Sequence, residues 1–147
     1  MSVRTLVLLV LGSCLVAAGL FLFSSDEPKT PEEAISAVLD EMVQATREQD
    51  LGGIMEHVSE SFKGRGMTRD QLKGMLFVQL RQGRWTQVLL TERQITLESS
   101  TQADVQTKAL LARGETIVPA SADSIELDFG FTLEGEDWKL VRADWRH

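Results

Sequence analysis

The acid–base potential of this chain rests on a single internal histidine, His57, and on two spaced pairs of charged residues, Glu126 with Asp128 and Arg142 with Asp144. A histidine in a pocket is suited to work as a general base. His57 stands beside Val58 on a short helical stretch, where a half-buried, hydrogen-bonded imidazole is the plainer reading. Glu126 and Asp128 alternate with Ile125, Leu127 and Phe129, so both carboxylates fall on one face of a strand, about 7 Å apart. Buried together they could not both ionise comfortably, and acid and base roles would divide between them. On a solvent face they only keep the sheet soluble. Arg142 and Asp144 share a face of the last strand and fit either a cross-strand salt bridge or a binding pair. Trp85, Trp138 and Trp145 can line a pocket or interface, or pack in the core.

Other chemistries are poorly supported. The only cysteine is Cys14, inside an apolar leader, so a Cys nucleophile, a Cys-based metal site and an intrachain disulfide are all excluded from the folded part. No His pair or Asp-rich loop offers a metal site, and no glycine-rich loop a phosphate cradle. Ser59 and Ser61 lack the strand–turn–helix context of a serine nucleophile. No cofactor is implied.

The elements that position these residues lie beyond the leader. Leu6 to Phe23 is a run of eighteen uncharged, mostly apolar residues behind Arg4. As a helix it would span roughly 27 Å, close to a hydrocarbon core of about 30 Å. Arg4 before it and Asp26 and Glu27 after it favour a cytoplasmic N-terminus and an outward domain. Three readings stay open. The run is an uncleaved signal anchor, a signal peptide cut near Val16, Ala17 and Ala18, or a lipoprotein leader, since Leu11, Gly12, Ser13 and Cys14 resemble a lipobox. The expected organisation is leader 1–25, linker 26–29 and one domain 30–147, with the domain on the periplasmic side of a bacterial inner membrane. The leader holds one of the fifteen Lys and Arg and none of the twenty-two Asp and Glu. Fourteen cations against twenty-two anions leave the remainder at net −8. Such a domain is repelled by nucleic-acid phosphates, so nucleic acid is not an expected partner.

Within the domain, Thr30, Pro31 and Glu33 form a capping box for a helix with Ile35, Leu39 and Met42 on its apolar face, ending near Gln49. Asp50 caps a second helix carrying Leu51, Ile54, Met55, Val58 and Phe62, stopped by Gly64 and Gly66. Thr68 and Gln71 box a third, with Leu72, Met75, Leu76, Gln79 and Leu80 on one face and Gly83 closing it. From Trp85 the period becomes two. Strands are expected over Thr86–Glu98 and Ala103–Ala112, through Ile125–Leu133, and over Trp138–Trp145. The last two should form a hairpin around Gly135, and a short edge strand is expected at 116–118.

Helices first and an antiparallel sheet after make an α+β plan. The helix opened by Pro31, Glu32, Glu33, Ala34 and Ile35 runs to Arg47, Glu48, Gln49 and Asp50. Ile54, Met55, His57, Val58, Ser59, Glu60 and Phe62 come next, and Trp138, Lys139, Leu140, Val141 and Arg142 form a late tryptophan strand. This arrangement, over Thr30 to His147, resembles the nuclear transport factor 2-like (SnoaL-like) superfamily with its cystatin-like fold. The resemblance implies a cone: three helices on a curved antiparallel sheet wrapped around the first helix, with a pocket at the open end. It also implies two kinds of function. One is a non-catalytic binding or assembly domain, for a small apolar ligand, a second copy or an envelope partner. The other is a small-molecule lyase or isomerase using His57 or the Glu126 and Asp128 pair. An Arg142 and Asp144 pair in the pocket would echo the epoxide hydrolase branch. The isomerase and dehydratase branches rely on tyrosine hydroxyls, and this chain has no tyrosine. A binding module is therefore the expectation.

Overall fold

The computed structural model describes residues 29–83, 86–114 and 122–147. The leader with Cys14, Trp85 and the edge strand expected at 116–118 lie outside the described residues. Among those described, no helix is long and apolar enough to cross a membrane.

Helix α1 (Pro31–Arg47) starts where its capping box dictates. Thr30 Oγ1 accepts from Glu33 N at 3.2 Å, and Glu33 Oε2 accepts from Thr30 N at 3.1 Å. Its inner stripe puts Ile35 and Leu39 in the core with almost no exposure. Each such burial stabilises by about 1.5–3 kcal/mol. Asp50 caps α2 (Leu51–Glu56) through a bond from Gly53 N of 3.0 Å.

The second helix is shorter than expected. It ends at Glu56 because the chain turns to serve an open strand edge: Leu140 N donates to His57 O at 2.8 Å and Ser59 N donates to Leu140 O at 2.9 Å. Unpaired backbone groups on a sheet edge need partners, and residues 57–59 supply them. Val58 and Phe62 are still buried, but from this extended stretch rather than from a helix face. Gly64 and Gly66 do not merely stop a helix. Gly64 ends β1 (Lys63–Gly64) and Gly66 belongs to the two-residue turn into β2 (Met67–Thr68), where Arg65 and Gly66 both take positive φ, 49° and 75°. The Thr68–Gln71 box then opens α3 (Arg69–Arg81).

Four antiparallel strands follow as a curved meander, β3 (Gln87–Leu97), β4 (Gln102–Ala112), β5 (Asp123–Glu134) and β6 (Asp137–Arg146), in that spatial order. The expected β5–β6 hairpin is present, with Glu134 opposite Asp137 and Gly135 at φ 66°.

Two bulges set which side chains face the helices. In β3, Glu92 and Arg93 stand opposite Thr107 alone, and Glu92 takes φ 54°. Val88 and Leu90 point inward before the bulge and Ile95 after it, a change of parity. Arg93 is turned onto α1, its Nη1 3.0 Å from Ser36 Oγ and its Nη2 paired with Asp40. In β6, Gly130 pairs with Arg142 and Phe131 with Leu140, so Val141 is the extra residue. Trp138 and Leu140 face inward before it, Ala143 and Trp145 after it.

Candidate functional site

The inner face of the sheet and the three helices do not meet everywhere. Towards the narrow end Ile35, Phe62, Phe131 and Val105 close the core. Beyond them the elements diverge around a hollow of about 420 Å³. That is within the range of small-molecule pockets, about 300–1,000 Å³.

Each element contributes for a local reason. The apolar stripe of α1 continues past Leu39 to Met42 and Val43, which line the hollow. Helix α3 adds Met75 and Leu76, and β4 and β5 add Ala109, Leu111 and Leu127, the inward members of their alternation. The β6 bulge brings Ala143 and Trp145 to the same wall. Trp145 is held from outside: the Arg65 guanidinium carbon lies 4.8 Å from its ring centroid, and Arg65 Nη1 donates to Trp145 O at 3.1 Å.

Among the described residues, four side chains with polar groups line this wall, those of Thr46, Gln79, Trp145 and His147. Thr46 Oγ1 donates to Met42 O at 2.8 Å, a satisfied bond within α1. His147 is exposed. Gln79 Oε1 is buried and has no hydrogen-bond partner among the described residues. Among the described residues, no Asp, Glu, Lys or Arg lines the hollow.

The residues singled out for acid–base chemistry are elsewhere: His57 stands by itself, while Glu126, Asp128 and Asp144 line one groove with Arg65 and Arg146. His57 is the C-cap of α2, in a separate groove of about 360 Å³ with Val38, Trp138 and Lys139. Its Nε2 lies 3.2 Å from Glu41 Oε2. Glu126 and Asp128 lie on the outer face of β5 and pair with Arg146 (3.5 Å) and Arg142 (3.0 Å). Arg142 and Asp144 do share a face, but it is the outer one. An unbroken alternation would have put them inward with Trp138 and Leu140; the Val141 bulge reverses this. Nor do they pair with one another: Arg142 Nη2 contacts Asp104 Oδ1 at 2.9 Å as well as Asp128. Trp138 is buried in the core. Among the described residues no cluster of His, Cys, Asp or Glu is arranged to hold a metal ion.

Gln79 is the residue that a chemical reading passed over. Its signal was present as one polar side chain on the apolar face of a helix, between Leu76 and Leu80.

The geometry is shared with known structures. An NTF2-like protein of unknown function from Shewanella oneidensis superposes with a TM-score of 0.65 at 14% identity, over 79% of this chain and 98% of that one. A candidate dehydratase of the NTF2-like family from Streptomyces avermitilis gives 0.63 at 11% identity, over 79% and 97%. Bd1075 of Bdellovibrio bacteriovorus gives 0.62 at 18% identity over 76% of this chain, which spans only 38% of that protein. No family model matches the chain, and no curated protein matches it. At these identities the likeness shows the fold, which is the NTF2-like, cystatin-like α+β fold; it does not carry a function with it.

Proposed function

We propose that this chain is a membrane-anchored envelope protein whose outward NTF2-like domain binds a small apolar molecule in the hollow of its cone, without catalysing a reaction. The observation that carries the reading is the wall itself. About 420 Å³ of space is lined mostly by Leu, Met, Val, Ile, Phe and Trp side chains, with no acidic or basic pair among the described residues converging on it. Apolar surface left facing a hollow is stabilised when a ligand replaces water there.

Leu6 to Phe23 is the proposed anchor, retained as a single span of a bacterial inner membrane with the domain in the periplasm; lipidation at Cys14 and secretion are the alternatives. The linker to α1 is a few residues long, so the domain would stay close to the bilayer surface. A homodimer through the outer sheet face, or an envelope protein partner docked there, is compatible with the charged side chains on that face. Nucleic acid is not a proposed partner.

The test is binding of 2-methylnaphthalene, an uncharged apolar probe, to the full chain in lipid nanodiscs, with protein-free nanodiscs subtracted. Ala109 is a small residue of the wall, 3% exposed. Ala109→Phe fills the hollow and should abolish binding without unfolding the protein. Equal binding by wild type and variant would contradict the reading.

A small-molecule lyase or isomerase is the second reading, favoured by the Streptomyces avermitilis neighbour and its dehydratase assignment. It would need acid–base groups at the wall, and the wall offers Gln79, Thr46 and His147 in place of His57, Glu126 and Asp128.

A further inference from the structure

We infer that the outer face of α3 seats the domain on a bilayer containing anionic lipid, with Phe77 and Val78 entering the acyl boundary and Lys73 and Arg81 meeting the phosphates. The inference rests on the reading of Leu6 to Phe23 as a retained anchor and goes on to say which face of the domain turns to the membrane.

The inner side of α3 is taken up by the core and the hollow, through Leu72, Met75 and Leu76. Its outer side has no cover. Phe77 and Val78 stand next to one another there, 47% and 49% exposed. A Cβ added at Gly74, one turn earlier, would meet nothing within 4 Å. Two exposed apolar residues alone are ordinary protein surface. The charges around them are what point to a lipid surface.

Lys73 lies four residues before Phe77 and Arg81 four after it, so both exposed cations share its face of the helix. The Arg81 guanidinium carbon is 5.4 Å from the Phe77 ring centroid. An aromatic ring between two long cationic chains is the arrangement of an interfacial helix: the ring enters the apolar boundary and the chains snorkel to the phosphates. The wider segment has the same sign. Residues 63–83 carry five Lys and Arg and one acid, Asp70, a net charge of +4. The rest of the chain has ten cations against twenty-one anions, a net charge of −11. Arg69 is turned inward onto Val58 O and Met55 O, which leaves Lys73 and Arg81 as the outward cations of α3. Near an anionic surface such a separation orients the molecule, basic side inward and acidic remainder outward.

The anchor supplies the bilayer as a neighbour. Ser24 to Lys29 span at most about 20 Å when fully extended. A tethered face meets the surface at high effective concentration, so a small contact suffices.

The test places the full chain, ¹³C-methyl-labelled at valine, in phosphatidylcholine nanodiscs with or without phosphatidylglycerol, containing a trace of acyl-chain nitroxide lipid. In the anionic discs the Val78 methyl resonances should lose intensity by about twofold or more relative to Val105, which is fully buried in the core. The paired change Lys73→Glu and Arg81→Glu, and Phe77→Ser as a second variant, should each restore Val78 with Tm held near that of wild type. Val78 broadened no more than Val105, or broadened equally in wild type and both variants, would overturn the proposal. Val78 changes that follow the number of chains per disc rather than lipid charge would assign the face to a second copy and overturn it as well. A chain that separates from the discs altogether would sink the anchor reading, and this inference with it.

Discussion

Arg142 Nη2 lies 3.0 Å from Asp128 Oδ1 on the outer face of the sheet, two strands meeting through one guanidinium. Asp128 had the residue type and spacing of an acid–base partner for Glu126. The structure instead makes it one arm of a surface network that also takes in Asp104, 2.9 Å from the same nitrogen. Gly130, opposite Arg142 in the ladder, leaves room for this: a Cβ there would lie 3.2 Å from Arg142 Cβ and 3.6 Å from its guanidinium carbon.

The carboxylates should therefore be dispensable for binding. Asp128→Asn and Glu126→Gln are expected to leave the affinity for 2-methylnaphthalene within about twofold of wild type. Asp128 and Arg142 are both more than two-fifths exposed, so stability should change by less than about 1 kcal/mol. Urea denaturation and probe binding on the same samples check both. A tenfold loss of affinity would place these groups in the site.

Gln79→Met should stabilise the ligand-free protein. The change removes an unpaired buried acceptor and keeps the side chain's length, so a gain of about 1–3 kcal/mol is expected. Thermal unfolding monitored by circular dichroism reads it as a rise of several degrees in Tm. A fall in Tm would mean that Gln79 has a stabilising role in the empty protein.

Gly64 is required by a close approach. A Cβ at this position would lie 2.6 Å from Ala143 O and 2.8 Å from Phe62 Cζ, so β1 could no longer press against β6. Gly64→Ala should cost about 1–3 kcal/mol, the usual penalty of overpacking. It should also disturb the hollow, since Ala143 and Trp145 are on its wall. Unfolding at wild-type denaturant concentration would show that the ribbon gives way freely.

For the leader, the anchor reading expects the full chain to sediment with membranes and to resist carbonate extraction. Cys14→Ser should fractionate as wild type does. Release of that variant into the soluble fraction would favour lipidation, and a soluble wild-type chain would favour cleavage.

How legible each feature was in the sequence depended on how local its cause was. The boxes at Thr30 and Thr68 act over three residues, and both helices begin where those residues place them. The alternation of Ile125, Leu127, Phe129 and Phe131 survives in β5 because its ladder with β4 is unbroken and the extra residue beside it falls in β6. The α2 end was not legible, since it depends on Leu140, far along the chain, needing partners at His57 and Ser59. The bulges at Glu92 and Val141 were not legible for the same reason. They answer to what each strand packs against, and a slip of one residue reverses every side chain beyond it. That slip sent Arg142 and Asp144 outward and brought Ala143 and Trp145 to the hollow. Gln79 was visible as a polar residue on an apolar face, but its lack of a partner is a three-dimensional fact.

The central claim is that the hollow holds a small apolar molecule, and methionine provides a direct probe of it. Met42 and Met75 line the space, while Met67 sits on β2, away from its wall. The decisive measurement is a titration of the full chain, ¹³C-methyl-labelled at methionine, with 2-methylnaphthalene. The account predicts saturable shifts of the Met42 and Met75 methyl resonances with Met67 unmoved. Resonances of Met42 and Met75 that stay fixed, or that drift together with Met67 without saturating, would contradict it.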